Sequence, residues 1–139
     1  MTTTTTTTIT GTITGTSNRS AAATLVSVTF DCADALVVGS FWSAVLDLPL
    51  AEGASRDYAL ILASPAWSFM SVPEPKSAKN RVHVDLGTED LPAAVERIVA
   101  LGATRLGDFD EAGYRWATLA DPEGNEFDVV VPSEGTGHH

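Results

Sequence analysis

The sequence is poor in cysteine and in basic residues, and it contains no long hydrophobic run. Its single cysteine, Cys32, excludes an intrachain disulfide and is typical of a reducing compartment. Eight basic residues against 18 acidic ones give a net charge of −10, which repels nucleic-acid backbones, so we expect no nucleic-acid partner. No apolar stretch is long enough to span a bilayer, and no signal-peptide pattern opens the chain. These absences predict a cytoplasmic protein with no membrane partner.

The chain of 139 residues is long enough for one domain with its own core. Residues 1–20 consist almost entirely of Thr, Gly, Ser and Ile, and we interpret them as a disordered leader. Residues 133–139 are polar and Gly-rich, which predicts a flexible tail. The terminal pair His138 and His139 is either native or a tag remnant, and it is left out of the site for that reason. The folded domain is therefore expected over residues 21–132.

A strand, a helix and three further strands are predicted in residues 24–73. Residues 25–31 alternate between apolar and polar side chains, which indicates a half-buried strand. Asp34 is a suitable N-cap for a helix that runs to about Leu46. Three short strands are then predicted at residues 48–52, 58–63 and 67–72.

The same order of elements starts again after a linker at residues 74–80. A strand is predicted at residues 81–87, and Asp90 caps a helix that ends at Gly102. Strands are predicted at residues 104–108, 114–119 and 126–131, with a turn at residues 121–125. Val82, Val84 and Asp90 follow Val26, Val28 and Asp34 at one constant spacing. The pattern predicts an α+β fold of two βαβββ modules, one at residues 24–73 and one at residues 81–132.

Several short motifs resemble one known superfamily. They are Phe41-Trp42-Ser43, Asn80-Arg81-Val82-His83-Val84-Asp85-Leu86, Leu101-Gly102-Ala103 and Asp121-Pro122-Glu123-Gly124-Asn125-Glu126-Phe127. Over residues 25–132 the chain is similar to the glyoxalase / bleomycin-resistance / extradiol-dioxygenase (vicinal oxygen chelate) superfamily. The resemblance implies curved mixed sheets around a cleft, a small-molecule ligand, a homodimer and, in related enzymes, a divalent metal in the cleft.

The resemblance also supplies candidate metal ligands. Carried over position by position, the ligands of the superfamily become Ser27, Met70, His83 and Asp128. His83 and Asp128 suit a divalent metal such as Zn, Ni, Mn or Fe, whereas Ser27 and Met70 are poor ligands for these ions. The implied metal site is therefore His83 with Asp128, and it is degenerate in the first module.

Strand alternation gives a wider set of candidates on the cleft side of the second module. Histidine titrates near neutral pH and a neighbouring carboxylate orients it, so this set suits proton transfer. We expect the crowding of like charges to raise the pKa of at least one carboxyl. The alternative for His83 is a structural histidine bonded to Asp85, Asp128 or a carbonyl. The predicted catalytic residues are His83, Asp85 and Glu126, and the predicted substrate-binding residues are Ser27, Thr29, Met70, Arg81 and Trp116.

Three functions fit these residues. The first is a glyoxalase-like enzyme of the isomerase, lyase or oxygenase type, acting on a small molecule through His83 and the carboxylates. The second is a protein that binds and sequesters a small molecule or drug, as bleomycin-resistance members of the superfamily do. The third is an interaction module with a vestigial cleft. A fold alone does not choose between them.

Overall fold

A computed structural model describes residues 21–131 of the chain. The first module contains β1 (Ser27–Cys32), α1 (Ala35–Leu46), β2 (Tyr58–Ile61) and β3 (Ala66–Ser71). The second contains β4 (Asp85–Gly87), α2 (Leu91–Ala100), β5 (Thr104–Glu111), β6 (Tyr114–Ala120) and β7 (Glu126–Val131). The predicted leader and tail lie outside the described residues. Within residues 21–131, no helix has the length and apolar character needed to cross a membrane.

Each module forms its own mixed sheet. The first sheet has the order β1-β3-β2, with β1 parallel to β3, and the second has the order β4-β7-β6-β5, with β4 parallel to β7. The first and last strands of each module are thus direct neighbours, while the remaining pairs are antiparallel. This arrangement confirms the predicted α+β fold with two modules.

Both helices begin where the sequence places their N-caps. Asp34 Oδ1 accepts hydrogen bonds from the backbone N–H groups of Leu36 and Val37, at 3.0 and 3.1 Å. Asp90 Oδ1 accepts one from Ala93, at 3.1 Å. These bonds satisfy N–H groups that have no partner inside the helix, so they fix the first turn.

The two modules share one core, and Trp42 stands at its centre. Trp42 is fully buried, and its ring lies 4.7 Å from that of Phe127 on β7, so the first helix packs against the second sheet. Its indole Nε1 donates a 3.1 Å hydrogen bond to the buried Asp121 Oδ2. The carboxylate of Glu123 also accepts from the N–H groups of Ala33 and Asp34. The predicted turn at residues 121–125 therefore ties the modules together.

Two predicted strands are much shorter in the structure. The strand expected at residues 48–52 is reduced to one bridge between Leu50 and Ile61, because Pro49 offers no N–H for a longer ladder. The strand expected at residues 81–87 begins only at Asp85. There the Asn80 side chain bonds to both the N–H and the C=O of Glu126 and thereby replaces the start of the backbone ladder.

Candidate functional site

A histidine and two carboxylates meet where β4 and β7 run side by side. The parallel register pairs Asp85 with Asp128, so both side chains point to the same face of the sheet. His83 lies two residues before β4, and its Nε2 is 3.4 Å from Asp85 Oδ1 and 3.4 Å from Asp128 Oδ2. One ligand atom from each of the three lies within 4.8 Å of the others. We call these residues the His83–Asp85–Asp128 cluster.

Asp128 is the most firmly held member of the cluster. Its backbone N–H donates to the Val84 carbonyl, and Thr118 Oγ1 donates a 2.6 Å hydrogen bond to its Oδ1. That bond leaves Oδ2 directed at His83. The Asp128 side chain is 22 % exposed, whereas His83 and Asp85 are 45 % and 61 % exposed. The cluster therefore has one anchored carboxylate and two ligands that a small molecule or ion can reach.

Glu126 lies beside the cluster but is paired elsewhere. Its carboxylate forms a 2.7 Å ion pair with Lys79 Nζ, and the linker that carries Lys79 is fixed by the bonds of Asn80 to the Glu126 backbone. The hydrogen bond from Lys79 lowers the pKa of the Glu126 carboxyl. Glu126 is therefore not a carboxyl whose pKa is raised by crowding, because the ammonium group of Lys79 lies next to it.

Two members of the cluster, His83 and Asp128, line a cavity of about 390 Å³, and Asp85 lies outside its lining. His83, Asp128, Thr118, Lys79 and Glu126 make its polar side, and Leu106, Gly107, Phe109 and Phe127 line the rest. A larger cavity, of about 610 Å³, lies between α2 and the β5–β6 hairpin. It contains no member of the His83–Asp85–Asp128 cluster, so the candidate site is the smaller cavity.

The candidate residues of the first module lie on the other sheet. Ser27, Thr29 and Met70 line no part of the His83 cavity. The hydroxyls of Thr29 and Ser68 share a 2.5 Å hydrogen bond with each other. Thr29 pairs with Ser68 as Asp85 pairs with Asp128, so the pairing makes Ser68, rather than Met70, the counterpart of Asp128.

Trp116 and Arg81 are the remaining predicted substrate-binding residues. Trp116 lies on the same face as Thr118 and stacks on Phe109, with ring centroids 5.1 Å apart, but it lines the larger cavity and not the His83 cavity. Arg81 is exposed and does not line the His83 cavity. Sequence reasoning did not identify Thr118, Lys79, Asn80 or Phe109. Thr118 had a usable signal, since it alternates with Trp116 on a predicted strand, but the other three depend on contacts between distant segments.

The donor set fits a divalent metal. One imidazole nitrogen with two carboxylates suits Mn(II), Fe(II), Zn(II) or Ni(II). Donors that are held about 2.1 Å from a tetrahedral metal lie about 3.4 Å apart, which is the spacing of His83 from each carboxylate. Three protein ligands would leave further positions for a substrate oxygen or water.

Comparison with known proteins gives one family and one fold. Residues 27–130 match the glyoxalase-like domain family, and no curated protein matches the chain. A glyoxalase/bleomycin resistance protein/dioxygenase family enzyme from Burkholderia phytofirmans PsJN shares the fold with a TM-score of 0.68. It is 18 % identical, with 78 % of this chain and 98 % of that chain covered.

A second similar structure holds a metal. It is a mutant of the fosfomycin resistance protein FosX from Listeria monocytogenes, complexed with Mn(II) and 1S,2S-dihydroxypropylphosphonic acid. Its TM-score is 0.67 at 14 % identity, over 81 % of this chain and 93 % of that chain. At such identities the likeness shows the fold alone.

Proposed function

The chain belongs to the glyoxalase-like domain family, and we propose that it is an enzyme that acts on a small molecule at a divalent metal held by His83, Asp85 and Asp128. The observation that carries the proposal is the convergence of these three side chains, whose ligand atoms lie within 4.8 Å of one another. Two of the three, His83 and Asp128, line a cavity. A bound metal would polarise a substrate oxygen as a Lewis acid.

The protein's own residues have separable roles in this proposal. Thr118 orients Asp128, so that one carboxylate oxygen is fixed toward His83. Asp85 is the most exposed of the three, which suits it to exchange a proton with a substrate as well as to bind metal. Lys79 keeps the Glu126 carboxylate ionised at the cavity edge, so within the predicted proton-transfer role Glu126 is suited to accept a proton rather than to donate one.

The FosX complex supports a choice of first metal. That protein binds Mn(II) together with a dihydroxylated phosphonate, an oxygen-rich small molecule. Mn(II) also matches the carboxylate-rich donor set of this chain. Isomerisation, bond-cleaving lyase chemistry and oxygenation all remain within the proposal.

The second candidate function is binding and sequestration of a small molecule without turnover. The first module favours it, because Thr29 and Ser68 bond to each other instead of offering ligands to a metal. A ligand that binds in the His83 cavity and is recovered unchanged from the metal-loaded protein would support this function. Formation of a product would support the enzyme.

Two expectations from the sequence are kept as part of the proposal. A homodimer is proposed from the superfamily resemblance, and sedimentation equilibrium of the full chain tests it. A cytoplasmic location is proposed from the single cysteine, since disulfides are rare in that compartment.

Metal binding is the test of the proposed function. The full chain with His138→Ala and His139→Ala removes the terminal histidines as competing ligands. We expect one Mn(II) per chain by electron paramagnetic resonance, and we expect it to be lost in His83→Ala and in Asp128→Asn. Asp31→Asn is the matched control, because Asp31 is an exposed acid at the end of β1 in the other module. Absence of binding, or binding that His83→Ala leaves unchanged, refutes the metal site.

A further inference from the structure

The cavity at His83 has an apolar wall as well as a polar one. Leu106 and Phe109 on β5 line the same cavity as His83 and Asp128. Both remain strongly exposed, at 51 % and 42 %. Small-molecule sites typically combine an apolar lining with a few polar groups, and these two side chains give the cavity such a lining beside His83 and Asp128.

A β-bulge builds this wall. The register of β5 against β6 shifts between Arg105 and Gly107, which leaves Leu106 without a ladder partner. Gly107 pairs with Thr118, the residue that orients Asp128, so Leu106 lies immediately beside the row of the cluster. Bulges commonly redirect a side chain at a functional edge of a sheet.

Gly107 lets the Phe109 ring cover the strand. A Cβ at position 107 would lie 3.2 and 3.3 Å from two carbons of the Phe109 ring, so the ring lies directly over this glycine. The ring also stacks on Trp116, with an angle of 19° between the planes. Trp116 lines the larger cavity and not the His83 cavity, so the exposed apolar side chains beside the Thr118–Asp128 row are Leu106 and Phe109. We call these two residues the apolar wall.

We propose that the site takes an amphiphilic ligand, with an oxygen-bearing head at His83 and Asp128 and an aromatic body against the apolar wall, and that Phe109 determines the preference for that body. The head of this ligand rests on the proposed function. The occupant of the apolar wall is identified by continuity, because His83, Asp128, Leu106 and Phe109 face one cavity.

Size and charge narrow the class of ligand. Cavities that hold small molecules span about 300–1,000 Å³, so a volume of about 390 Å³ fits a head with one ring. Lys79, the lysine that lines the cavity, is neutralised by Glu126. A head without multiple negative charges therefore fits the cavity better than a free multivalent anion does.

Two hydroxamates distinguish the contribution of the ligand's head to binding from that of its body. Acetohydroxamate and benzohydroxamate carry the same chelating oxygens, but only the second has a ring. Calorimetric titration of the Mn(II)-loaded full chain should show benzohydroxamate binding at least about tenfold more tightly, from ring burial and stacking. In Phe109→Ala this ratio should fall below about threefold, while the affinity for acetohydroxamate stays the same. Gly107→Ala should also lower this ratio, because the added Cβ would push against the Phe109 ring.

Tyr114→Ala is the matched control, because Tyr114 is an exposed aromatic on β6 that lies outside the cavity. It should leave the ratio unchanged. Equal affinities for the two hydroxamates in the unsubstituted chain overturn the inference and leave the metal site intact. Binding of Mn(II) without binding of either hydroxamate overturns it as well.

Failure of Mn(II) to bind refutes the proposed function but still leaves the apolar wall to be tested. In that case the fluorescence of 8-anilinonaphthalene-1-sulfonate is measured with the metal-free chain. A loss of enhancement in Phe109→Ala, with none in Tyr114→Ala, supports the apolar subsite. Equal enhancement in both variants overturns it. Circular dichroism of each variant confirms that the fold is retained.

Discussion

Thr118 donates a 2.6 Å hydrogen bond to one carboxylate oxygen of Asp128, and the other oxygen of Asp128 points at His83. Side chains that orient metal ligands in this way typically affect metal affinity by about 10–100-fold. We therefore expect Thr118→Val, which keeps the shape of the side chain, to weaken Mn(II) binding by roughly that factor. Titration followed by electron paramagnetic resonance measures it. Thr104→Val, at an exposed position on β5, should have no effect, and equal affinities in both variants would contradict the orienting role.

The turn at Asp121 supports a second prediction, on stability. The buried carboxylate of Asp121 accepts hydrogen bonds from Trp42 Nε1 and from the N–H groups of Glu123 and Asn125. Asp121→Ala leaves these donors without a partner, so we expect the free energy of unfolding to fall by about 3 kcal/mol. Urea unfolding measures the change. Asp110→Ala, at an exposed position on β5, is the control, and a loss below about 1 kcal/mol in Asp121→Ala would contradict the anchoring role.

Much of the fold follows from local signals in the sequence. The caps Asp34 and Asp90 and the bounds of β7 are those the sequence predicts, because capping chemistry and strand alternation act over a few residues. The pairing between distant strands does not follow from such local signals. Alternation tells which face a residue occupies, but it does not fix which residues stand opposite each other. Met70 was for this reason assigned to a position that the pairing gives to Ser68.

The candidate site could likewise be predicted only in part from the sequence. His83 and Asp128 could be proposed because motif resemblance and alternation both place them on one face. The bonds of Asn80 to Glu126, which shorten β4, and the ion pair of Lys79 could not be predicted. They join a linker to a strand more than forty residues away in the chain, and nothing periodic in the sequence records such contacts.

The Lys79–Glu126 ion pair predicts a dependence of stability on pH. The folded-state pKa of Glu126 is lowered from its ordinary value near 4.5, so its contribution to stability is present above that value and is lost as the pH falls through the folded pKa. We expect Lys79→Met to raise the pKa of Glu126 toward the ordinary value. Titration by nuclear magnetic resonance of the side-chain carboxyl measures it. An unchanged pKa in Lys79→Met would show that another group stabilises the carboxylate.

Cys32 supports the final prediction, on chemical reactivity. Burial, with the nearby Glu123 carboxylate, raises the pKa of the thiol to about 11. The thiolate is the reactive form, so at neutral pH the native protein should react with 5,5′-dithiobis(2-nitrobenzoate) far more slowly than the unfolded chain, by at least about a hundredfold. Glu123→Gln should speed the native reaction only modestly, because burial is the larger cause of the raised pKa. Native and urea-unfolded samples that react at similar rates would contradict the burial of this cysteine, which the structure places at the end of β1.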